Sequence, residues 1–242
     1  MANDVRVEVE LDTDRAEKDA EGLKGKLSKA FGDMGKIAGG IFMAEVGGQL
    51  AGMAAMQPAE ALGFAELGHR VMDSLESLPQ PVIAAVNGFA LGGGMELAMS
   101  CDILLAAENA RFGQPEVNIG VMPGFGGSQR LPRRVPFGMA AEILLSGDNL
   151  TAAEALRIGL VNRVLPQSEL LTESKKLAHK IASRAPVAVA KTKQALHTSR
   201  QGSLADGNAQ ERQLFSELFA TADQKEGMRA FLDKRPPSYQ GK

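Results

Sequence analysis

Apolar and charged residues alternate from Val5 to Leu11, the two-residue period of a half-buried strand. The period then changes. Ala16, Ala20, Leu23, Leu27, Ala30 and Met34 recur at spacings of three and four, which predicts an amphipathic or short coiled-coil helix. The glycine-rich stretch from Gly39 to Gly52 carries no firm period. From Pro58 a helical pattern runs through Leu62, Ala65, Leu67, Val71, Met72 and Leu75 and stops at Pro79-Gln80-Pro81. Pro81 to Val86 is a short apolar run, as expected of a strand buried on both faces. Gly88 to Gly94 reads as a glycine-rich turn, Met95 to Met99 as a helix, Asp102 to Ala107 as a second buried strand and Ala110 to Phe112 as a short third.

Strand and helix therefore alternate through the middle of the chain, which makes the class α/β. The spelling Thr151-Ala152-Ala153-Glu154 is that of a capping box. Gly159 to Leu165 reads as a strand closed by Pro166. Beyond it, helices are expected at about 168–184, 187–198, 205–221 and 223–233. Three segments follow from this pattern: 1–45, a strand plus amphipathic helix; 46–165, an α/β core; and 166–242, a helical region.

Composition narrows the function classes. At 242 residues, 44% hydrophobic and 23% charged, the chain has ordinary globular composition. A net charge of -2 gives no electrostatic reason to expect nucleic acid or an anionic membrane as partner. Cys101 is the only cysteine, which excludes an intrachain disulfide and a cysteine-based zinc site and fits a reducing compartment. His69, His179 and His197 lie on separate helical stretches without metal-ligand spacing. The opening residues lack the basic and apolar regions of a secretory signal, so a cytoplasmic protein is expected. Ile37 to Met56 approaches membrane-spanning length, but Glu45, Gln49 and its glycines argue against a span.

Candidate chemistry concentrates at Asn87-Gly88-Phe89-Ala90-Leu91-Gly92-Gly93-Gly94-Met95-Glu96. Three successive glycines between a buried strand and a helix leave backbone amides open to a ligand, and the helix N-terminus adds partial positive charge. Such a turn suits an anion or a developing oxyanion. Its spacing is neither that of a dinucleotide fingerprint nor that of a phosphate loop. Glu96 falls in the first turn of the helix, and Glu116 follows in Phe112-Gly113-Gln114-Pro115-Glu116. Taken singly, each acid reads more readily as a helix-end or loop charge. Burial of both among apolar residues would raise their pKa values and suit them to proton transfer. Two carboxylates could also serve a glycosidase, but the chain has no Trp and one Tyr with which to stack a sugar.

Gly92-Gly93-Gly94-Met95-Glu96-Leu97-Ala98-Met99-Ser100-Cys101-Asp102-Ile103 and Phe112 to Glu116 resemble the two signature segments of the crotonase (enoyl-CoA hydratase/isomerase) superfamily. Pro123-Gly124-Phe125-Gly126-Gly127-Ser128-Gln129-Arg130-Leu131, Ala153 to Val161 and Gln224 to Arg235 resemble three further motifs of that family, in the family's order. The resemblance covers about residues 57–242. It implies a crotonase-like ββα spiral core with a C-terminal helical trimerisation region, and a homotrimer or hexamer. The activity it implies is hydration of a trans-2-enoyl-CoA to a 3-hydroxyacyl-CoA in fatty acid metabolism. Enoyl-CoA isomerisation is an alternative, as is a catalytically impaired subunit or chimera with a structural role.

By the same resemblance Glu96 and Glu116 are the catalytic pair, and Gly93 supplies one oxyanion-hole amide. Leu91, Gly92, Pro115, Gly124, Phe231 and Lys234 would contact the acyl-CoA. No metal or cofactor is implied, coenzyme A being part of the substrate. The chain departs from the family at its start: the Asn-Arg-Pro and Ala-Leu-Asn segments are absent, and 1–45 is atypical. Val46 to Met53 can be laid against the family's Ala-Gly-Ala-Asp-Ile-x-x-Met, which would make Gly48 the second oxyanion donor, with Gln49 in place of the Asp; a glycine-rich connector fits equally.

Overall fold

The computed structural model describes residues 52–242. The expected N-terminal strand and helix, Gly48, and residues 37–51 of the stretch weighed as a membrane span lie outside them. No helix of the described residues is long and apolar enough to cross a membrane. Two compact units are formed: the described residues up to Ser77 together with Val82–Ser174, and Leu78–Pro81 together with Lys175–Lys242.

The first unit contains α1 (Pro58–Glu76), at whose N-terminus the Gln57 amide donates to Glu60 Oε2 at 2.8 Å and the Glu60 amide donates to Gln57 O at 2.9 Å. Its inward stripe is Leu67, Gly68, Val71, Met72 and Leu75. Then follow β1 (Ile83–Val86), β2 (Phe89–Leu91), α2 (Gly93–Met99), β3 (Ile103–Ala107) and β4 (Arg111–Gly113). A 3-10 turn at Pro115–Ile119 leads to the short α3 (Gly127–Arg130), α4 (Phe137–Ser146), β5 (Asn149–Thr151), α5 (Ala152–Arg157) and β6 (Arg163–Leu165). The strands form two three-stranded sheets. One, in the order β1-β3-β6, is all parallel; in the other, β2-β4-β5, β2 and β4 are parallel and β5 is antiparallel. Ala84, Leu104, Leu105, Ala106 and Ala107 are fully buried, which explains the unbroken apolar runs.

Two expectations are corrected. Gly88 to Gly94 is not wholly a turn: Phe89–Leu91 pairs with Arg111–Gly113, with the small Ala90 and Gly113 on the buried part of the pair and Phe89 exposed. The strand expected from Gly159 is paired only from Arg163. Leu160 and Val161 donate their amides back to Ala155 O at 2.9 and 3.3 Å and close α5 instead. Asn162 takes over the contact with β3, its amide donating to Leu104 O and its Oδ1 accepting from the Leu104 amide. The capping box at Thr151 is present, with the Glu154 amide donating to the Thr151 hydroxyl and the Thr151 amide donating to Glu154 Oε2.

The last helices are α6 (Gln167–Ala182), α7 (Pro186–Thr198), α8 (Leu204–Leu218) and α9 (Ala222–Leu232). In the second unit a Lys191–Glu217 ion pair joins α7 to α8. The chain after α9 is tied back by a forked Arg235–Glu226 pair and by buried Asp223, which accepts the amides of Gln240 and Gly241.

Helix α1 carries two glycines that should respond oppositely to one substitution. A Cβ at Gly63 meets no described atom within 4 Å, whereas a Cβ at Gly68 would lie 2.0 Å from the Phe125 ring. Gly63→Ala should therefore stabilise by the helix-propensity difference, about 0.5–1 kcal/mol. Gly68→Ala should destabilise by about 1–3 kcal/mol, because overpacking outweighs that gain. Urea unfolding of the two variants checks the opposite signs.

Candidate active site

The turn between β2 and α2 brings the two acids together. Gly92 holds φ 54° and ψ −126°, a conformation that only glycine adopts without strain, and its amide donates to Gly113 O at 2.9 Å. A Cβ at Gly92 would stand 3.0 Å from Glu116 Oε1, and one at Gly93 would stand 4.0 Å from Glu96 Oε2. The backbone of two adjacent glycines thus lies against both carboxylates. The Gly93 amide, in the first turn of α2, has no acceptor within its own helix.

Glu96 is 1% exposed on a helix whose neighbouring residues Met95, Leu97, Ala98 and Met99 are also buried. Its Oε1 accepts the amides of Phe125 at 2.8 Å, in the loop entering α3, and of Gly127 at 2.7 Å, the first residue of α3. Burial raises its pKa, against the opposing effects of those two amides, Arg130 and His69. Oε1 is occupied, so Oε2, on the Gly93 side, is the oxygen left to meet a ligand.

Glu116 sits in the 3-10 turn, where Pro115 starts the turn without needing to donate a hydrogen bond. Burial pushes its carboxyl up to about 7; its own backbone amide opposes the rise and the Glu96 charge adds to it. Gln114, fully buried just before it, donates to Glu116 Oε2 and Oε1 at 3.1 and 2.9 Å when its amide nitrogen is turned toward the carboxylate. Room for that amide exists because residue 127 is glycine: a Cβ there would meet the Gln114 side chain at 2.8 Å.

Leu91 closes β2 opposite Gly113, so Leu91, Gly92, Gly93, Glu96, Pro115 and Glu116 form one neighbourhood in the first unit. Gly124 precedes Phe125, and a Cβ there would meet no described atom within 4 Å. Phe231 and Lys234 belong to the second unit: Phe231 is exposed on α9, and Lys234 follows with φ 54°. Among the described residues no cluster of His, Cys, Asp or Glu could hold a metal ion. Sequence reasoning missed Phe125, Gly127, Gln114 and Arg130 as parts of the site. Phe125, Gly127 and Arg130 lie in one quoted motif, yet their role comes from amides and contacts that no residue type announces.

With the geometry established, comparison with known proteins identifies the chain. A family model described as enoyl-CoA hydratase/isomerase matches residues 38–242. The chain belongs to that family. It is 52% identical over 189 residues to a short-chain-enoyl-CoA hydratase of Clostridium acetobutylicum, covering 78% of this chain and 72% of that protein. It is 50% identical over 193 residues to a crotonyl-CoA hydratase of Syntrophomonas wolfei, covering 80% and 74%. The fold is similar to the crystal structure of an enoyl-CoA hydratase from Bacillus anthracis, with a TM-score of 0.77 and 40% identity over 80% of this chain and 75% of that one. A Geobacillus kaustophilus enoyl-CoA hydratase subunit gives a TM-score of 0.76 and 44% identity over 80% and 74%. The crotonase-like fold expected from the sequence is therefore the fold found.

The raised pKa of Glu116 has a consequence for stability. A carboxyl near 7 in the folded chain and at its ordinary value when unfolded favours folding below the ordinary value, and that contribution is lost as pH rises through about 7. Solvent screening of a part-exposed group brings the effect to on the order of 1 kcal/mol. Glu116→Gln should accordingly be more stable than the parent at pH 8 by about that much. Chemical denaturation at a series of pH values should show the difference shrinking towards pH 5.

Proposed function

We propose that this chain is an enoyl-CoA hydratase that adds water across a trans-2-enoyl-CoA to give a 3-hydroxyacyl-CoA. The observation that carries the reading is the meeting of two carboxylates of raised pKa over the Gly92–Gly93 turn. The hydratase names of the relatives in Clostridium acetobutylicum and Syntrophomonas wolfei support the substrate class. Glu96 Oε2 orients the water and takes its proton as the water oxygen bonds to C3. The C2–C3 π electrons move toward the thioester, whose oxygen gains charge beside the Gly93 amide, with Gly48 as the second donor. Glu116 delivers a proton to C2. Leu91, Gly92, Pro115 and Gly124 contact the acyl-CoA in this reading, and the family resemblance alone carries Phe231 and Lys234. No cofactor takes part.

Isomerisation needs only one carboxylate to carry a proton from one carbon to another. The second, buried and oriented by two amides, is what a water molecule requires, so hydration is the better reading. Exposed Leu204, Phe215, Phe231 and Leu232 support assembly into a homotrimer or hexamer. The same reading assigns the enzyme to cytoplasmic fatty acid β-oxidation.

Adding neutral water leaves the site's total proton count unchanged, so both directions need the carboxylate pair to hold one proton. Hydration and dehydration should show parallel bell-shaped kcat/KM profiles, with the upper limb at about 7, where the pair loses that proton. Loss of the conjugated-thioester absorbance of crotonoyl-CoA measures the reaction. Glu96→Gln and Glu116→Gln should each lower kcat by about 10²–10⁴-fold. Parental turnover in either variant would overturn the assignment.

A further inference from the structure

The loop that holds Glu96 is itself held from outside the site. Arg130 donates through Nε to Glu76 Oε1 at 2.8 Å and through Nη2 to Glu76 Oε2 at 3.1 Å, a forked pair that fixes the plane of the guanidinium. Nη2 also reaches Asp73 Oδ1 at 3.3 Å, and Nη1 donates to Phe125 O at 2.7 Å. Both acids are on α1. The carbonyl so gripped lies between the two amides, of Phe125 and Gly127, that converge on Glu96 Oε1. Gly126 makes the grip possible: it holds φ 99°, and a Cβ there would stand 2.1 Å from Arg130 Nη1. The Phe125 ring is bedded on Gly68 of the same helix and meets Phe64 edge-on at 5.2 Å between centroids.

We propose that Arg130 is a positioning residue for Glu96: its guanidinium, anchored on Glu76 and Asp73 of α1, fixes the Phe125 carbonyl and so the two amides that orient the Glu96 carboxylate. The inference rests on the proposed function only in taking Glu96 as a reacting group. A single ammonium cannot span both anchors, so the planar fork matters as well as the charge. The charged groups bearing on Glu96 are Arg130, His69 of α1 and Glu116 of the 3-10 turn, and Arg130 is in turn faced by Glu76 and Asp73.

The test uses the full chain with Arg130→Met and Arg130→Lys. In Arg130→Met, kcat for crotonoyl-CoA hydration should fall roughly ten- to a hundredfold with KM nearly unchanged, because a reacting group is misplaced rather than a binding contact removed. Loss of the cation should also move the acid limb of kcat/KM to higher pH. Arg130→Lys should keep the parental acid limb while losing about tenfold in kcat, since it keeps the charge and loses the fork. The ¹³C carboxyl resonance of Glu96, identified by its absence in Glu96→Gln, should titrate at higher pH in Arg130→Met than in the parent. If the parent does not turn over enoyl-CoA, the proposed function fails and this titration alone decides the inference. A lowered Tm with unchanged kcat, pH profile and Glu96 titration would overturn it. Should Arg130→Met fail to fold, an unchanged kcat in Arg130→Lys would overturn it equally.

Discussion

The burial of one carboxylate on α2 organises the first unit of this chain. Glu96 cannot stay ionised among Met95, Leu97 and Met99 unless something replaces the water it has lost, and the amides of Phe125 and Gly127 are that replacement. They satisfy one carboxylate oxygen and leave the other on the Gly93 side. The cost of burial still exceeds the gain from the amides and nearby cations, which is why the pKa remains raised.

Glycine recurs wherever two parts of this site must come closer than side chains permit. Gly92 lets the turn pass under Glu116, Gly127 makes space for the Gln114 amide, Gly126 lets the Arg130 guanidinium reach a carbonyl, and Gly68 accepts the Phe125 ring. Function and packing are hard to separate here, since the contacts that place the acids also fill the space between α1, α2 and the loop entering α3. The two carboxylates consequently differ in their supports. Glu96 is held by main-chain amides on a braced loop, whereas Glu116 is held by one buried side-chain amide in a short 3-10 turn.

Much of this was legible beforehand. The apolar runs before Val86 and Ala107 predicted two strands because a strand covered on both faces has no polar side to show. The helices α6 to α9 fall within a few residues of their expected positions, since proline, glycine and capping residues punctuate them. The strand β2 was hidden because only three apolar residues stand between Asn87-Gly88 and Gly92 to Gly94, whose turn signal covers them, and the Gly159 to Leu165 run misled because apolar residues that close a helix look like strand residues.

The order of the motifs along the chain was enough to assign the family, and the two glutamates stood out only as a pair beside a glycine turn within those motifs, since either acid alone reads as a helix-end or loop charge. The support of those acids was not readable. Backbone amides carry no residue signature, and Arg130 is far in sequence from Glu76 and Asp73, all three being ordinary as surface charges. Residue types and their order determined the fold class and singled out the two carboxylates; only the tertiary structure decided how those groups are held. A hydrogen bond between distant segments depends on where the backbone turns, and that is set by the packing of the whole unit.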